Sequence, residues 1–310
     1  MTKLFTKKTF ALLIKIIITS IFFLIILSNT DFDSTISILI RADIILVIIA
    51  LTILIVEVFI ATARWFIVLN WLKVDISFSS TLRYLWIGAF FNQALPSSIG
   101  GDALRGYFLC KHCNCSMGEA TVGVLIDRVV GMISLTLLII STLPLWFELV
   151  TNSVVNNSIL FLLTGLLICI IIGITLDFIP NKWIAWKFIR GMFTLSRKSR
   201  KIIFSRHGLR LIVMSFAIQL SIVLAVWILA RSMELDVKFI DVLLIIPITN
   251  LITVLPISIA GWGVREAVII TGFGFLGINS EAALAVSIFY GLLILVSSIP
   301  GSIYWLQSKI

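Results

Sequence analysis

The chain has 310 residues, of which 60% are hydrophobic and 13% are charged, and its formal net charge is +9. Soluble domains carry about 25% charged residues, and a soluble core could not keep this much apolar surface away from water. The composition therefore excludes an ordinary soluble protein. It predicts an all-α polytopic membrane protein, because helices satisfy their own backbone hydrogen bonds inside lipid.

Full-length apolar segments recur along the chain, each close to the ~20 residues that cross ~30 Å of hydrocarbon. They cover residues 10–27, 43–63, 119–143, 158–177, 209–230 and 282–306. The first follows a basic start, as a signal peptide does. It contains Lys15 and has no small-residue cleavage site after it, so it is predicted to be a retained helix.

The placement of Lys and Arg predicts the orientation, because these residues favour cytoplasmic loops. Lysines precede the first span, and Arg64, Lys73 and Arg83 follow the second, so both regions are predicted to be cytoplasmic. The 144–157 loop has no Lys or Arg and is predicted to lie outside. The 178–210 segment has nine basic residues and no acidic residue, which predicts a cytoplasmic loop.

Two further apolar segments, 84–112 and 240–277, are interrupted by Pro, Ser and Gly, which a continuous helix tolerates poorly. The predicted orientations agree if 84–112 enters and leaves from the cytoplasm and 240–277 enters and leaves from the outside. We therefore predict about six spanning helices plus two re-entrant broken helices. Both termini would then be cytoplasmic. The alternative is that each broken segment crosses the membrane completely.

The basic 178–210 segment has two interpretations. Trp183, Trp186, Ile189 and Phe193 recur at near-helical spacing among basic residues, a pattern typical of a helix on an anionic membrane surface. The other interpretation is a solvated loop that only sets the topology. Nucleic-acid binding is not predicted, because the chain has no recognisable binding module.

Three of the four cysteines, Cys110, Cys113 and Cys115, cluster around His112. Ligands this close in sequence rarely surround one tetrahedral ion, and structural zinc sites pair two separated ligand groups. The sequence therefore favours reduced thiols at a cytoplasmic surface, and neither a metal nor a cofactor is predicted.

The two broken segments contain an internal repeat. A shift of 160 residues aligns 95–105 with 255–265 without a gap, with the shared pattern L-P-x-S-I-x-G-x-x-x-R. An asparagine, Asn92 or Asn250, precedes each proline. Because the predicted orientations are opposite, we predict one transmembrane domain, 1–310, built from inverted halves of approximately 10–143 and 158–306.

Paired interrupted helices in two halves of a membrane protein indicate a transport site. Each break leaves backbone N–H groups at the start of a half-helix, where an anion is favoured. Arg105 and Arg265 follow about one turn later, and a guanidinium fork fits phosphate. The structural alternative is that Arg105 pairs with Asp102 and Arg265 with Glu266, each only neutralising the other. The predicted substrate-binding residues are Asn92, Pro96, Ser98, Gly100, Gly101, Asp102, Arg105, Asp127, Arg128, Asn250, Pro256, Ser258, Gly261, Gly263, Arg265 and Glu266.

Three charged residues outside the repeat also carry predictions. Asp127 and Arg128 either line the same cavity or lie at the cytoplasmic boundary. Glu57 falls within the second span, where a carboxyl group can carry a coupling proton. The alternative for Glu57 is a position near the lipid headgroups.

At these residues the chain resembles the transmembrane region of lysylphosphatidylglycerol synthases, also called the flippase-like domain family. The resemblance covers roughly residues 10–306. It rests on Asn92, Leu95-Pro96-Ser97, Gly100-Gly101-Asp102, Arg105, Asp127-Arg128, Leu255-Pro256-Ile257-Ser258, Gly261-Trp262-Gly263, Arg265-Glu266 and Pro300-Gly301.

The resemblance implies a bacterial inner-membrane protein that moves a lipid between leaflets. Fused members carry a soluble synthase domain, which is not expected in this chain, so lipid synthesis is not expected either. The implied partners are anionic phospholipids or polyprenyl-phosphate lipids. The resemblance is also compatible with a homo-oligomer, or with a complex with a synthase or glycosyltransferase.

Three functions compete. The first is a transporter that holds the lipid phosphate in a cavity between the two motifs. The chain has no nucleotide-binding G-x-x-x-x-G-K-[ST] loop, so movement would be passive or ion-coupled through Glu57, Asp102 or Glu266. The second is a non-catalytic membrane partner of a lipid-modifying or glycosyl-transferring enzyme. The third, a lipid-phosphate transferase, is disfavoured because the sequence has no clustered acid, base and nucleophile.

Overall fold

The computed structural model describes residues 17, 20, 21, 24, 26, 28, 30–94, 100–113, 115–178, 187–255 and 258–308, without the side chains of 94 and 187–190. Every regular element in this part of the chain is a helix, which confirms the predicted all-α class. In chain order the helices are α1 (Phe32–Arg41), α2 (Ile44–Trp71), α3 (Phe78–Ala94), α4 (Gly100–His112), α5 (Met117–Leu149), α6 (Ser153–Thr175), α7 (Lys187–Ile203), α8 (Arg206–Ser232), α9 (Phe239–Val254), α10 (Val264–Gly274) and α11 (Ser280–Gln307).

Among the described residues, five helices are long and apolar enough to cross a membrane: α2, α5, α6 with the short 3-10 helix Leu176–Phe178 that follows it, α8 and α11. Each coincides with a predicted span. The sixth predicted span, 10–27, lies mostly outside the described residues, and those described within it are helical. Helix α1 was not predicted; the side chain of Asp31 caps it by accepting a hydrogen bond from the Asp33 N–H at 3.1 Å.

Each broken segment forms two helices. The first contains α3 and α4, and residues 95–99 between them lie outside the described residues. The second contains α9 and α10, and the described residues 258–263 between them are not helical. The break in 240–277 therefore lies where it was predicted, while the break within 84–112 and the re-entrant paths through the membrane stay predictions.

The chain divides into two compact units, and each takes residues from both halves of the predicted repeat. We name them after the motif arginines they contain. The Arg105 unit comprises 57–85 and 103–220, and the Arg265 unit comprises 1–56, 86–102 and 221–310.

In the Arg105 unit, a cluster of buried aliphatic side chains joins α2, α5, α7 and α8. Its members are Val68, Val122, Ile126, Val130, Ile202 and Leu211. In the same unit, Tyr84 of α3 stacks on Phe108 and His112 of α4. The start of α3 therefore lies beside the end of α4, as in a hairpin.

In the Arg265 unit, close packing depends on glycines that face neighbouring helices. A Cβ on Gly272 of α10 would lie 2.6 Å from Cγ2 of Ile245 on α9. A Cβ on Gly301 of α11 would lie 2.1 Å from the carbonyl oxygen of Trp86, whose indole N–H donates to the Ser297 carbonyl at 3.0 Å. Small residues at such positions let helix backbones approach closely in membrane proteins.

Candidate functional site

The start of α4 packs directly against α3 at Gly101. A Cβ on this residue would lie 1.9 Å from the carbonyl oxygen of Gly88. The Gly101 N–H donates to Oδ1 of Asn92 at 3.1 Å, so Asn92 connects the two halves of the broken segment. Pro96 and Ser98 lie outside the described residues.

Arg105 is buried, with 4% of its surface exposed. It lies about one turn beyond Gly101, after Gly100 and the half-buried Asp102 in the first turn of α4. Its Nη1 donates to Oδ2 of Asp127 at 3.1 Å, and its guanidinium lies 4.7 Å from the centre of the Trp65 ring. This ion pair reaches across to α5, and the sequence did not predict Asp127 as a partner of Arg105.

A second arginine, Arg64, binds the same carboxylate. Its Nε donates to Oδ1 of Asp127 at 2.8 Å, and its Nη1 donates to the Ser215 hydroxyl at 2.8 Å. Gly131 lies beside this guanidinium, since a Cβ there would be 3.4 Å from Nη1. One buried carboxylate, 3% exposed, is therefore shared by two arginines from different helices. We call Arg64, Arg105 and Asp127 the arginine–aspartate cluster.

Sequence reasoning missed Arg64 because it placed the end of the second span at residue 63. Helix α2 continues to Trp71, so Arg64 lies within the helix rather than in a cytoplasmic loop. Arg83, assigned to the same loop, lies within α3. The apolar run from Trp65 to Leu69 was the available signal that the span had not ended.

The other two predicted charges take different positions around the cluster. Arg128 is exposed, so it does not share the buried environment of its neighbour Asp127. Glu57 lies about two turns before Arg64 on α2, half-buried and within electrostatic range of Arg64 and Asp127. Among the described residues, Glu57 has no hydrogen-bond or ion-pair partner.

The second broken segment turns through left-handed backbone conformations. Ala260, Gly261 and Gly263 have φ angles of 51°, 81° and 84°. Such angles cost glycine little, but they are unfavourable for alanine. Ser258 is buried and Asn250 is half-buried beside this turn, and Pro256 lies outside the described residues.

Glu266 and Arg265 form a fully paired group at the start of α10. Glu266 is completely buried and accepts hydrogen bonds from the Gly263 N–H and from the Ser287 hydroxyl, the latter at 3.2 Å. Arg265 donates to Oε1 of Glu266 from Nη2 at 2.7 Å and from Nε at 3.1 Å. Its guanidinium lies 4.6 Å from the Trp262 ring centre.

The two motif arginines therefore have different electrostatic surroundings. Arg265 pairs with its sequence neighbour, so this pair has no net formal charge. Arg105 shares Asp127 with Arg64, so two guanidinium groups and one carboxylate leave a net formal charge of +1. An excess of buried positive charge favours an anionic ligand.

A sequence model of the family described as the lysylphosphatidylglycerol synthase transmembrane region matches residues 12–301 of the chain. The chain belongs to this family.

Three similar proteins carry the name UPF0104 membrane protein. The UPF0104 membrane protein MJ1595 of Methanocaldococcus jannaschii is 27% identical over 306 residues, covering 91% of this chain and 89% of the relative. The UPF0104 membrane protein PH1989 of Pyrococcus horikoshii is 24% identical, covering 86% of this chain and 87% of the relative. A UPF0104 membrane protein of Methanothermobacter thermautotrophicus is 22% identical over 73% of each chain.

Two of the clustered cysteines and His112 line an open cleft of about 440 Å³ in the Arg105 unit. Cys113 and Cys115 share the cleft with Asp75 and Glu119. Burial raises the pKa of both thiols, and Cys110 adds to the effect on Cys115. Protonated thiols are poor metal ligands, and no three His, Cys, Asp or Glu side chains among the described residues are arranged to hold a metal ion.

The basic 178–210 segment of this family member contains helix α7. The predicted aromatic residues Trp183 and Trp186 lie outside the described residues. The apolar side of α7, with Leu195, Ile202 and Ile203, packs against the buried cluster of the Arg105 unit. Much of its apolar surface is thus covered by protein, and a contact with anionic lipid stays a prediction.

Asp177 attaches α7 to the end of α6. Its side chain is 3% exposed, accepts a hydrogen bond from Arg200 Nη2 at 2.7 Å and accepts another from the Ser196 hydroxyl at 3.2 Å. Arg200 also lies 4.0 Å from the centre of the Phe178 ring. These contacts hold the basic helix beside a spanning helix.

We expect Asp177→Asn to lower the free energy of unfolding by about 1–2 kcal/mol, because it weakens a charged hydrogen bond that is partly exposed to solvent. Equilibrium unfolding in mixed micelles measures this change. Asp236→Asn, which breaks an exposed 3.6 Å pair with Arg231, is the matched control and should have little effect. Equal effects of the two variants would contradict the anchoring role of Asp177.

Proposed function

We propose that this protein moves a lipid with a phosphate-bearing, anionic headgroup between the leaflets of a membrane. The observation that carries the proposal is the arginine–aspartate cluster, in which the buried Arg105 is joined by a second buried arginine. Burying charge among membrane-spanning helices is costly, and such charges usually serve transport or ligand binding. The net positive charge of this cluster is explained if an anion binds to it.

The headgroup phosphate would bind to the guanidinium groups, whose forked geometry suits two phosphate oxygens. The lipid tails would stay in the bilayer, so the protein would lower only the barrier for the headgroup. We infer a cytoplasmic membrane location and cytoplasmic termini from the distribution of basic loops.

Movement would be passive or coupled to protons. Of the three predicted proton carriers, Glu266 is held by Arg265, Ser287 and a backbone N–H, and its carboxylate is committed to that network. Glu57 has no such partners among the described residues and lies in electrostatic range of Arg64. Glu57 therefore suits the coupling role better than Glu266.

The test is reconstitution of the purified chain in liposomes with fluorescent anionic, zwitterionic and polyprenyl-phosphate lipids. We expect the protein to accelerate movement of an anionic lipid. Arg105→Ala should slow it about 10- to 100-fold, because a charged hydrogen bond is worth about 1.5–3 kcal/mol. Arg265→Ala tests the second motif in the same way, and Arg231→Ala removes an exposed arginine as the control.

Folded protein that moves none of these lipids would overturn the proposal. In that case, stable co-purification with a synthase or glycosyltransferase would favour the role of a non-catalytic partner.

A further inference from the structure

We propose that Arg64, Arg105 and Ser215 belong to one phosphate-binding centre, in which Asp127 occupies the position of the phosphate while no lipid is bound. The centre selects a phosphodiester headgroup with a single net negative charge. This inference rests on the proposed function and adds to it Arg64 and Ser215, residues outside both repeated motifs, as well as the class of headgroup.

The geometry around Asp127 matches what a phosphodiester requires. Arg64 donates to one carboxylate oxygen at 2.8 Å and Arg105 donates to the other at 3.1 Å. A phosphodiester likewise presents two non-bridging oxygens, which share its single negative charge. The Asp127 oxygens therefore mark where two phosphate oxygens would receive hydrogen bonds from the same two guanidinium groups.

Ser215 positions Arg64 for this contact. Its hydroxyl donates to the Leu211 carbonyl of its own helix at 2.8 Å and accepts from Arg64 Nη1 at 2.8 Å. The serine thereby restrains the guanidinium while leaving its charge unchanged. We assign Ser215 as a positioning residue rather than a direct ligand of the lipid.

Asp127 is held in a way that permits displacement. Its hydrogen-bond donors among the described residues are the side chains of Arg64 and Arg105. Glu266 differs, because it also accepts a hydrogen bond from the backbone N–H of Gly263. A backbone group cannot turn toward another anion as a guanidinium side chain can. An incoming phosphate can thus exchange with the Asp127 carboxylate while both arginines remain hydrogen-bonded.

The charge of the cluster specifies the headgroup. Two guanidinium groups and one carboxylate carry a net +1, so a phosphodiester monoanion brings the total to zero. A phosphomonoester dianion would leave an excess negative charge, and a zwitterionic headgroup would bring a cation toward two arginines. With the proposed coupling proton bound, Glu57 would add no negative charge beside the cluster.

The experiment measures lipid binding to the purified full-length chain in detergent by thermal unfolding. The probes are dihexanoyl phosphatidylglycerol, the matching phosphatidylcholine and phosphatidate, and inorganic phosphate. We expect phosphatidylglycerol to raise Tm more than the other three. Stabilisation by inorganic phosphate equal to that by phosphatidylglycerol would assign the centre to a free anion and overturn the lipid assignment.

Three variants test the roles of the residues. Asp127→Asn removes the internal competitor, so phosphatidylglycerol should bind about 10-fold more tightly, equivalent to about 1.4 kcal/mol. Arg64→Gln should weaken binding about 10-fold or more. Ser215→Ala keeps every charge and should weaken binding a few-fold, with little change in Tm without lipid. Asp236→Asn, in an exposed pair, is the control.

If the cluster has only a structural role, Asp127→Asn should not tighten lipid binding. Asp127→Asn would then lower Tm without tightening phosphatidylglycerol binding, and Ser215→Ala would leave binding unchanged, which would overturn the proposal. If Asp127→Asn does not fold, the Ser215→Ala result decides. Binding as expected without lipid movement in liposomes would refute transport alone. Lipid movement that persists at the wild-type rate in Arg64→Gln would refute the centre alone.

Discussion

Replacing Glu266 by glutamine is expected to lower the free energy of unfolding by about 3–5 kcal/mol, the usual effect of leaving one partner of a buried ion pair uncompensated. Glutamine keeps the size of the side chain and one acceptor oxygen. It cannot offset the charge of Arg265, which is 5% exposed and lies against Trp262. Unfolding by denaturing detergent in mixed micelles measures the loss. Ser287→Ala, which removes one hydrogen bond to Glu266, should cost only about 1 kcal/mol.

A double variant separates structure from lipid binding at this pair. Arg265→Met with Glu266→Leu removes both charges, and replacing a buried ion pair by apolar side chains is often neutral for stability. We expect it to recover most of the loss seen in Glu266→Gln. A stable double variant that no longer moves lipid would assign Arg265 to the substrate. A stable double variant with normal lipid movement would make the pair structural.

Gly101→Ala is expected to destabilise the first broken segment by about 3 kcal/mol, at the upper end of the range for overpacking. The new Cβ would lie 1.9 Å from the Gly88 carbonyl oxygen and 2.6 Å from Oδ1 of Asn92. Neither α3 nor α4 can absorb this contact by rotating a side chain, because the first obstacle is backbone. The two helices must separate, which also breaks the hydrogen bond from the Gly101 N–H to Asn92.

Gly106→Ala on the same helix is the matched control. Its nearest neighbour would be Cγ2 of Val124 at 3.7 Å, an ordinary van der Waals contact. Because alanine is the better helix former, this change should be neutral or stabilise by up to about 1 kcal/mol. Thermal unfolding of both variants gives the comparison. Similar behaviour of Gly101→Ala and Gly106→Ala would contradict the close packing of α3 and α4.

Hydropathy alone located the spanning helices, since the cost of exposing polar groups to lipid acts on each segment separately. The interruption of 240–277 was likewise readable from Pro256 and Gly261, and the structure turns there with positive φ angles. The Arg265–Glu266 pair was predictable from adjacency. Helix α1 was missed because its ten residues are too few for a span.

The arginine–aspartate cluster could not be read in the same way. Arg64 and Asp127 are 63 positions apart, and Arg105 and Asp127 are 22 apart, with each residue on a different helix. Which charges meet depends on the rotation and axial position of α2, α4 and α5, which many side chains determine together. Charge patterning placed Arg64 in a loop because it treats every basic residue near a span as a boundary marker.

The sequence by itself determined that this chain is a helical membrane protein of the lysylphosphatidylglycerol synthase transmembrane-region family, with two interrupted segments that share one motif. These properties depend on local composition and order along the chain. Only the tertiary structure decided that the two motif arginines differ, one neutralised by its neighbour and the other sharing a carboxylate with Arg64. The reason is that electrostatic pairing in a low-dielectric interior depends on distances between helices, which no local pattern specifies.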